Sequence, residues 1–282
     1  MTTFHKRLAT VFIGVPFIIL VVFGLPQYNH LAFAIVATLF AYVGSKEITT
    51  IIKNKTNIKL NIPFQLGIIL PISQWLSISL NYPNLTEICL IFLILYAFSK
   101  EIFQGAKDDK PFNDSLMKIA YDTLIIFYPN FLVSFIVSFS SLENSSSFYA
   151  MFFILVFSND IFAYIFGILL GKNNRGVFLV SPNKSLAGFV LGGFSAVACG
   201  VACYYFVPDI AQEINVFEAA FIALLVSISA NIGDLIESVI KRSAVIKDSG
   251  KLFPGRGGAL DNLDSILIAG PVFYLLIQLL GM

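Results

Sequence analysis

Nine runs of about 20 predominantly apolar residues, the length needed to cross the hydrocarbon core of a bilayer, occupy most of this 282-residue sequence. They are Leu8–Leu25, Leu31–Ile52, Ile62–Leu80, Leu85–Phe103, Leu116–Phe139, Phe148–Leu170, Ser185–Val207, Phe217–Glu237 and Leu263–Leu280. Pro71 interrupts the third and Pro129 the fifth, and a proline inside a span leaves a carbonyl that a neighbour must satisfy. With 57% hydrophobic and only 12% charged residues, the composition lies outside the range of soluble globular domains. A net charge of +1 predicts no polyanion-binding surface, so nucleic acid is not an expected partner.

The positive-inside rule tests the count, because Lys and Arg should gather in alternate connections. All 18 do so. Lys6 and Arg7 precede the first run; Lys46, Lys53, Lys55 and Lys59 surround the connection after the second; Lys100, Lys107, Lys110 and Lys118 surround that after the fourth. Lys172, Arg175 and Lys184 follow the sixth, and Lys241, Arg242, Lys247, Lys251 and Arg256 follow the eighth. The pattern predicts an all-α, polytopic integral membrane protein of about nine transmembrane helices, amino terminus cytoplasmic and carboxyl terminus outside. No cleavage pattern follows the first run, which is therefore read as a permanent span. The chain is expected to form one membrane domain over residues 1–282, with about five helices in 1–147 and the chemistry in 148–282, including a cytoplasmic loop at 241–262. Lacking an organelle-targeting extension, it is expected in a cytoplasmic (inner) membrane with its site facing the cytoplasm.

Histidine and cysteine chemistry has little to work with. His5 and His30 stand outside polar clusters, and Cys89, Cys199 and Cys203 have no metal-ligand spacing, which leaves carboxylates, Lys, Arg, hydroxyls and backbone. Ionisable residues within a span are costly and usually line a site. Asp160 sits midway along the sixth run, with Tyr164, Gly167 and Gly171 at helical spacings on the same face; a carboxylate bonded to a neighbouring hydroxyl or Lys is the structural alternative. The eighth run carries Ser227, Asn231, Asp234, Ser238 and Lys241 on one stripe, either a functional seam or a surface that binds a neighbouring helix. The segment Pro254 to Ser265 is glycine-rich around Arg256 and leads into Asp261 and Asp264. Its amides could converge on an anion and Arg256 could fork onto phosphate oxygens. Helix capping by Asp261 is the simpler alternative for that one acid. Mg²⁺ is usually held by one or two carboxylates plus substrate phosphates, and Asp234 with Asp261 is the natural pair. Lys184, Lys241, Arg242, Lys247 and Arg256 would neutralise a multiply charged phosphate.

The run Gly233 to Arg242, then Lys247-Asp248-Ser249-Gly250, the PGRGG loop and Leu260 to Ser265 closely resembles the signature of phosphatidate cytidylyltransferases, or CDP-diglyceride synthetases. Ser158-Asn159-Asp160 with Ala163, Tyr164 and Gly167 resembles the same family, as does Ser181-Pro182-Asn183-Lys184-Ser185 leading to Gly188, Gly192 and Gly193. The resemblance covers about residues 157–265 and implies a metal-dependent nucleotidyltransferase that converts CTP and phosphatidic acid to CDP-diacylglycerol and pyrophosphate. It implies catalytic roles for Asp234, Asp261, Lys241 and Arg242, and Mg²⁺, more than one ion, on Asp234, Asp261, Asp160 and Asp264. It implies substrate contacts at Ser181, Lys184, Ser185, Lys247, Asp248, Arg256, Gly257 and Gly258, and a homodimer in the bilayer. Gly188, Gly192, Ala196 and Gly200 offer a small-residue face for packing within a protomer or between two. The alternatives are a CTP-dependent membrane-alcohol kinase of the polyprenol or phytol kinase type and a secondary transporter using Asp160 and Asp234 as coupling sites.

Two positions depart from the family pattern. Arg256 replaces the His of PGHGG and Asn262 replaces the Arg of the D-R-x-D segment, so Arg256 is expected to supply a phosphate contact otherwise made from position 262. Arg256→His and Asn262→Arg in a double-mutant cycle should therefore be non-additive in activity, and additive effects would refute the exchange.

Overall fold

The computed structural model describes residues 12–56, 58–104 and 112–280, and nearly all of them are helical. In chain order the helices are α1 (Phe12–Gly24), α2 (Gln27–Lys55), α3 (Phe64–Ser79), α4 (Leu85–Gln104), α5 (Ser115–Ser141), α6 (Ser145–Leu169), α7 (Leu186–Phe206), α8 (Pro208–Glu213), α9 (Val216–Ser243) and α10 (Leu260–Leu279). Among the described residues there is no β-strand, only two isolated bridges. Each apolar run coincides with a helix, and six of these, α2, α5, α6, α7, α9 and α10, are long and apolar enough to cross a membrane. The architecture is that of a polytopic membrane protein. The start of the first run, His5, Lys6, Arg7, Lys107 and Lys110 lie outside the described residues. The short α8, opened by Pro208 at its first turn, has no counterpart among the runs.

The described chain forms two compact units, one made of the residues up to Ser138 with Ala244–Asp261, the other of Phe139–Ser243 with the residues from Asn262 onward. In the first unit Ile62, Leu70, Leu93, Ala97 and Ile126 form a buried cluster joining α3, α4 and α5. A polar knot holds the start of this hairpin. The fully buried Asp122 accepts from the amides of Asn61 and Ile62, both at 3.3 Å, while Asn61 Nδ2 donates to Glu101 at 2.7 Å and Lys118 pairs with Glu101 at 3.4 Å. In the second unit Phe139 packs between Phe152 and Phe273, with ring centroids 5.1 and 5.0 Å away.

The two prolines are absorbed differently. Pro71 falls in the first turn of the α-helical segment Ile69–Ser79, where an amide has no acceptor within that segment. Pro129 lies inside α5, in a π-helical turn at Phe127–Phe131. Lacking an N–H, it cannot bond the carbonyl of Ile125 four residues back. Asn130 supplies the missing donor: its Nδ2 reaches Ile125 O at 2.7 Å and Ser45 Oγ on α2 at 2.7 Å.

Small residues set the spacing of α6, α7 and α9. A Cβ at Gly192 would come within 2.8 Å of the Asn159 carbonyl, one at Gly200 within 2.6 Å of Ala223, and one at Gly188 within 2.5 Å of the Ala163 carbonyl. Gly188 and Gly192 thus face α6 and Gly200 faces α9, so this stripe packs within the protomer.

Asn130→Ala strands a buried carbonyl in a helix that has no water to offer. It should destabilise the detergent-solubilised protein by about 1–3 kcal/mol. Adding Pro129→Ala, which restores an amide at that turn, should recover part of the loss; thermal unfolding of both variants checks this.

Candidate active site

The second unit gathers carboxylates and a lysine from four segments. Asp160 follows Asn159 on α6, Asp234 and Glu237 lie on α9, Asp264 lies in the first turns of α10, and Lys184 closes the connection before α7. Asn159 and Asn231 lock α6 to α9 through a reciprocal amide pair, each Nδ2 donating to the other's Oδ1 at 3.2 Å. The buried Asn159 also donates to Asp160 Oδ1 at 3.2 Å, and Ser265 Oγ approaches the same oxygen at 3.5 Å. Asp160 is nevertheless exposed, whereas Asp234 and Asp264 are half-buried. Lys184 forms an ion pair with Asp234. The carboxylates of Asp234, Glu237 and Asp160 all lie within electrostatic reach of Asp264. Gly233 helps bring α9 and α10 together, because a side chain there would strike the Asp264 carbonyl.

The seam on α9 serves two purposes. Ser227 donates to Leu224 O within its own helix and Asn231 binds α6, both structural tasks. Asp234 instead presents its carboxylate to Lys184. Lys241 is paired with the buried Glu237 one turn back, and Arg242 Nε reaches Val180 O at 3.4 Å, tying α9 to the connection before α7. Ser185 is the cap of α7: its Oγ accepts from Gly188 N at 3.0 Å, and the residue is 4% exposed. Ser181 is half-buried in the same connection, its amide donating to Phe178 O at 3.0 Å. Beside the seam runs an apolar groove of about 510 Å³, lined by Phe189, Phe194, Phe221 and Leu224 and reaching Ser227 and Asn231.

The glycine-rich loop belongs to the first unit, and its amides are already spoken for. Asp261 Oδ2 accepts from Ser249 N at 2.8 Å, Ser249 Oγ at 2.9 Å and Gly258 N at 2.7 Å. Glu47, a buried residue of α2, accepts from Ala259 N at 2.9 Å, Leu260 N at 3.0 Å and Ser249 Oγ at 2.8 Å. The amides of Ser249, Gly258, Ala259 and Leu260 therefore converge on the protein's own carboxylates, those of Arg256 and Gly257 on the Phe253 carbonyl, and it is Glu47, not Asp261, that meets the free amides where α10 begins. Gly257 adopts a left-handed φ of +89°, against the Asp261 carboxylate. Lys247, Asp248 and Arg256 are exposed along this loop.

The structure thus brings Asp160, Lys184, Asp234 and Asp264 together, with Arg242 and Lys241 occupied nearby by protein partners. Asp261 is held in the other unit with Ser249, Gly258 and Glu47. Sequence reasoning passed over Glu47 and Glu237. Glu237 stands in the α9 stripe one turn before Lys241, a spacing that signals an ion pair; Glu47 had no signal beyond being an acid within an apolar run. Among the described residues no three His, Cys, Asp or Glu side chains are arranged to enclose a metal ion. Two accessible or half-buried carboxylates beside a lysine can, however, receive a hard cation that arrives already bound to phosphates.

Comparison with known proteins points the same way. The sequence model of the cytidylyltransferase family matches residues 5–280. A phosphatidate cytidylyltransferase of Staphylococcus aureus strain COL is 37% identical over 125 residues, 44% of this chain and 46% of the relative. That of Staphylococcus haemolyticus is 35% identical over the same coverage. Each alignment spans about half the length of the relative it matches.

Asp261→Asn should loosen the loop without any ligand present, since a neutral amide oxygen accepts the three hydrogen bonds now made to Oδ2 more weakly than a carboxylate does. The expected loss is about 1–3 kcal/mol of stability in EDTA, with faster proteolysis after Lys247 or Lys251; unchanged stability in EDTA would refute this loop-holding role.

Proposed function

This chain belongs to the cytidylyltransferase family, and on that premise we propose that it is a phosphatidate cytidylyltransferase, making CDP-diacylglycerol and pyrophosphate from CTP and phosphatidic acid. The observation that carries the reading is the Lys184–Asp234 ion pair beside the accessible Asp160 and half-buried Asp264. This is a polar group in a helical membrane scaffold that packing alone does not require.

The nucleophile in this reaction is a lipid phosphate oxygen. A phosphate monoester has its second pKa near 6, so the attacking oxygen is already anionic at neutral pH and no general base is needed. The obstacle is repulsion between that anion and the α-phosphate of CTP. In the resting site Lys184 neutralises Asp234. When a nucleotide binds, the ammonium can turn to phosphate oxygens and free the Asp234 carboxylate for a cation carried in with them. Asp160, held by Asn159 and Ser265, supplies a second carboxylate of fixed orientation. Asp234 and Asp160 would hold Mg²⁺ together with the substrate phosphates, Asp264 adding negative charge beside them; when bound the ion would supply charge neutralisation and a template for in-line displacement at phosphorus. Lys247 and Arg256, exposed on the loop, would contact phosphates of CTP. The apolar groove beside Asn231 suits an acyl chain, so that the lipid reacts with its tails still in hydrocarbon.

The same reading includes nine membrane crossings with a cytoplasmic amino terminus, a site on the cytoplasmic side and a homodimer. The alternation of Lys and Arg supports the topology.

Purified protein given phosphatidic acid, labelled CTP and Mg²⁺ should form the liponucleotide and pyrophosphate in equal amounts. EDTA should abolish both, and Asp234→Asn should lower kcat at least about a hundredfold. Release of CDP in place of pyrophosphate would identify a kinase and overturn the proposal.

A further inference from the structure

The first unit contains an acid that none of the chemistry above uses. Glu47 lies on α2, 8% exposed, and belongs to the half of the chain outside the signature segments. Its carboxylate nonetheless receives three hydrogen bonds from the signature loop: Ser249 Oγ, Ala259 N and Leu260 N. The loop is shaped around it. A Cβ at Gly250 or at Gly258 would collide with the Glu47 carboxylate, so both glycines are places where loop backbone closes on this side chain. Asp261 completes the arrangement from the opposite direction, and the Ser249 hydroxyl bridges the two carboxylates.

We infer that Glu47 is a positioning residue for nucleotide binding: by clamping Ser249 and the Ala259–Leu260 amides, it fixes the loop that presents Lys247 and Arg256 to the phosphates of CTP. The inference rests on the proposed cytidylyltransferase reading and adds a residue to it. The physical case is one of distance along the chain. Ser249 is two residues from Lys247, and Gly258, which closes on the Glu47 carboxylate, is two residues from Arg256. The backbone from which each cation extends is therefore pinned within one or two rotatable residues of its side chain. A long cationic side chain on an unpinned loop would lose its conformational freedom on binding and give up affinity in proportion. Glu47 spends that entropy on folding, before the nucleotide arrives. Its carboxylate also satisfies the first free amides of α10, which in an apolar surrounding would otherwise be costly.

The test uses the full chain in detergent. Glu47→Gln keeps the shape but replaces one acceptor oxygen by a donor that faces other donors. Ser249→Ala is the milder variant, removing the bridging hydroxyl alone. Thr49→Ala, a buried change on the same helix, controls for disturbance of α2. The dissociation constant of Mg²⁺–CTP should rise at least about tenfold in Glu47→Gln and about threefold in Ser249→Ala, with Thr49→Ala and phosphatidic acid binding within about twofold of wild type. Hydrogen exchange at the Ala259 and Leu260 amides should accelerate in Glu47→Gln. Unchanged CTP affinity overturns the inference, and so does lost affinity with unchanged amide protection, which would mean that Glu47 does not act through the loop. A parallel loss of phosphatidic acid binding in both variants would mean general unfolding and would also overturn it. Wild-type protein that binds CTP but forms no liponucleotide removes the cytidylyltransferase reading alone, because affinity and exchange still decide the role of Glu47.

Discussion

Backbone polar groups in a chain this apolar must find their partners within the protein, because a bilayer offers none. Much of what distinguishes the structure follows from that requirement. Where α5 loses a donor at Pro129, the amide of Asn130 replaces it and reaches α2 at the same time. Where α7 begins, Ser185 accepts from Gly188. Where α10 begins, Glu47 and Asp261 divide the free amides of the loop and first turn between them. In each case a polar side chain serves the backbone, and at Asn130 and Glu47 it also joins segments far apart in sequence.

Charges are managed by the same economy. Lys241 is paired with the buried Glu237, and Lys118 with the buried Glu101. The Lys184–Asp234 pair differs from these in being only half-buried and in lying beside the exposed Asp160. A charge pair that is partly reachable can exchange its internal partner for an external one, which a sealed pair cannot. Burial therefore separates the carboxylates sealed in such pairs from those that solvent reaches.

The helices were legible because hydrophobic runs and the alternation of Lys and Arg are local or periodic signals. Asp160 and Asp234 stood out because an ionisable group within a span contrasts with its neighbours, and Lys184 because it is a cation in the connection that leads into the next span. The stripe on α9 was read correctly as a seam, yet its periodicity could not say that Asn231 would bind α6 while Asp234 would meet Lys184. The glycines of the loop were read as room for an anion, and the room exists, but it is filled by a carboxylate from 202 residues away. Pairing over such a distance leaves no trace in spacing. Ser185 shows the remaining ambiguity: a hydroxyl at a helix start reads equally as a cap or a ligand contact, and only its bond to Gly188 decides.

The close approach of α7 to α6 on one side and to α9 on the other has a mechanical meaning. Contacts between backbone and backbone, with no flexible side chains to take up slack, make these three helices a single stiff body. The separation of the main chain at Asp160 and at Asp234 is then fixed by that packing, and only the torsions of the two aspartate side chains are left to adjust the distance between their carboxylates.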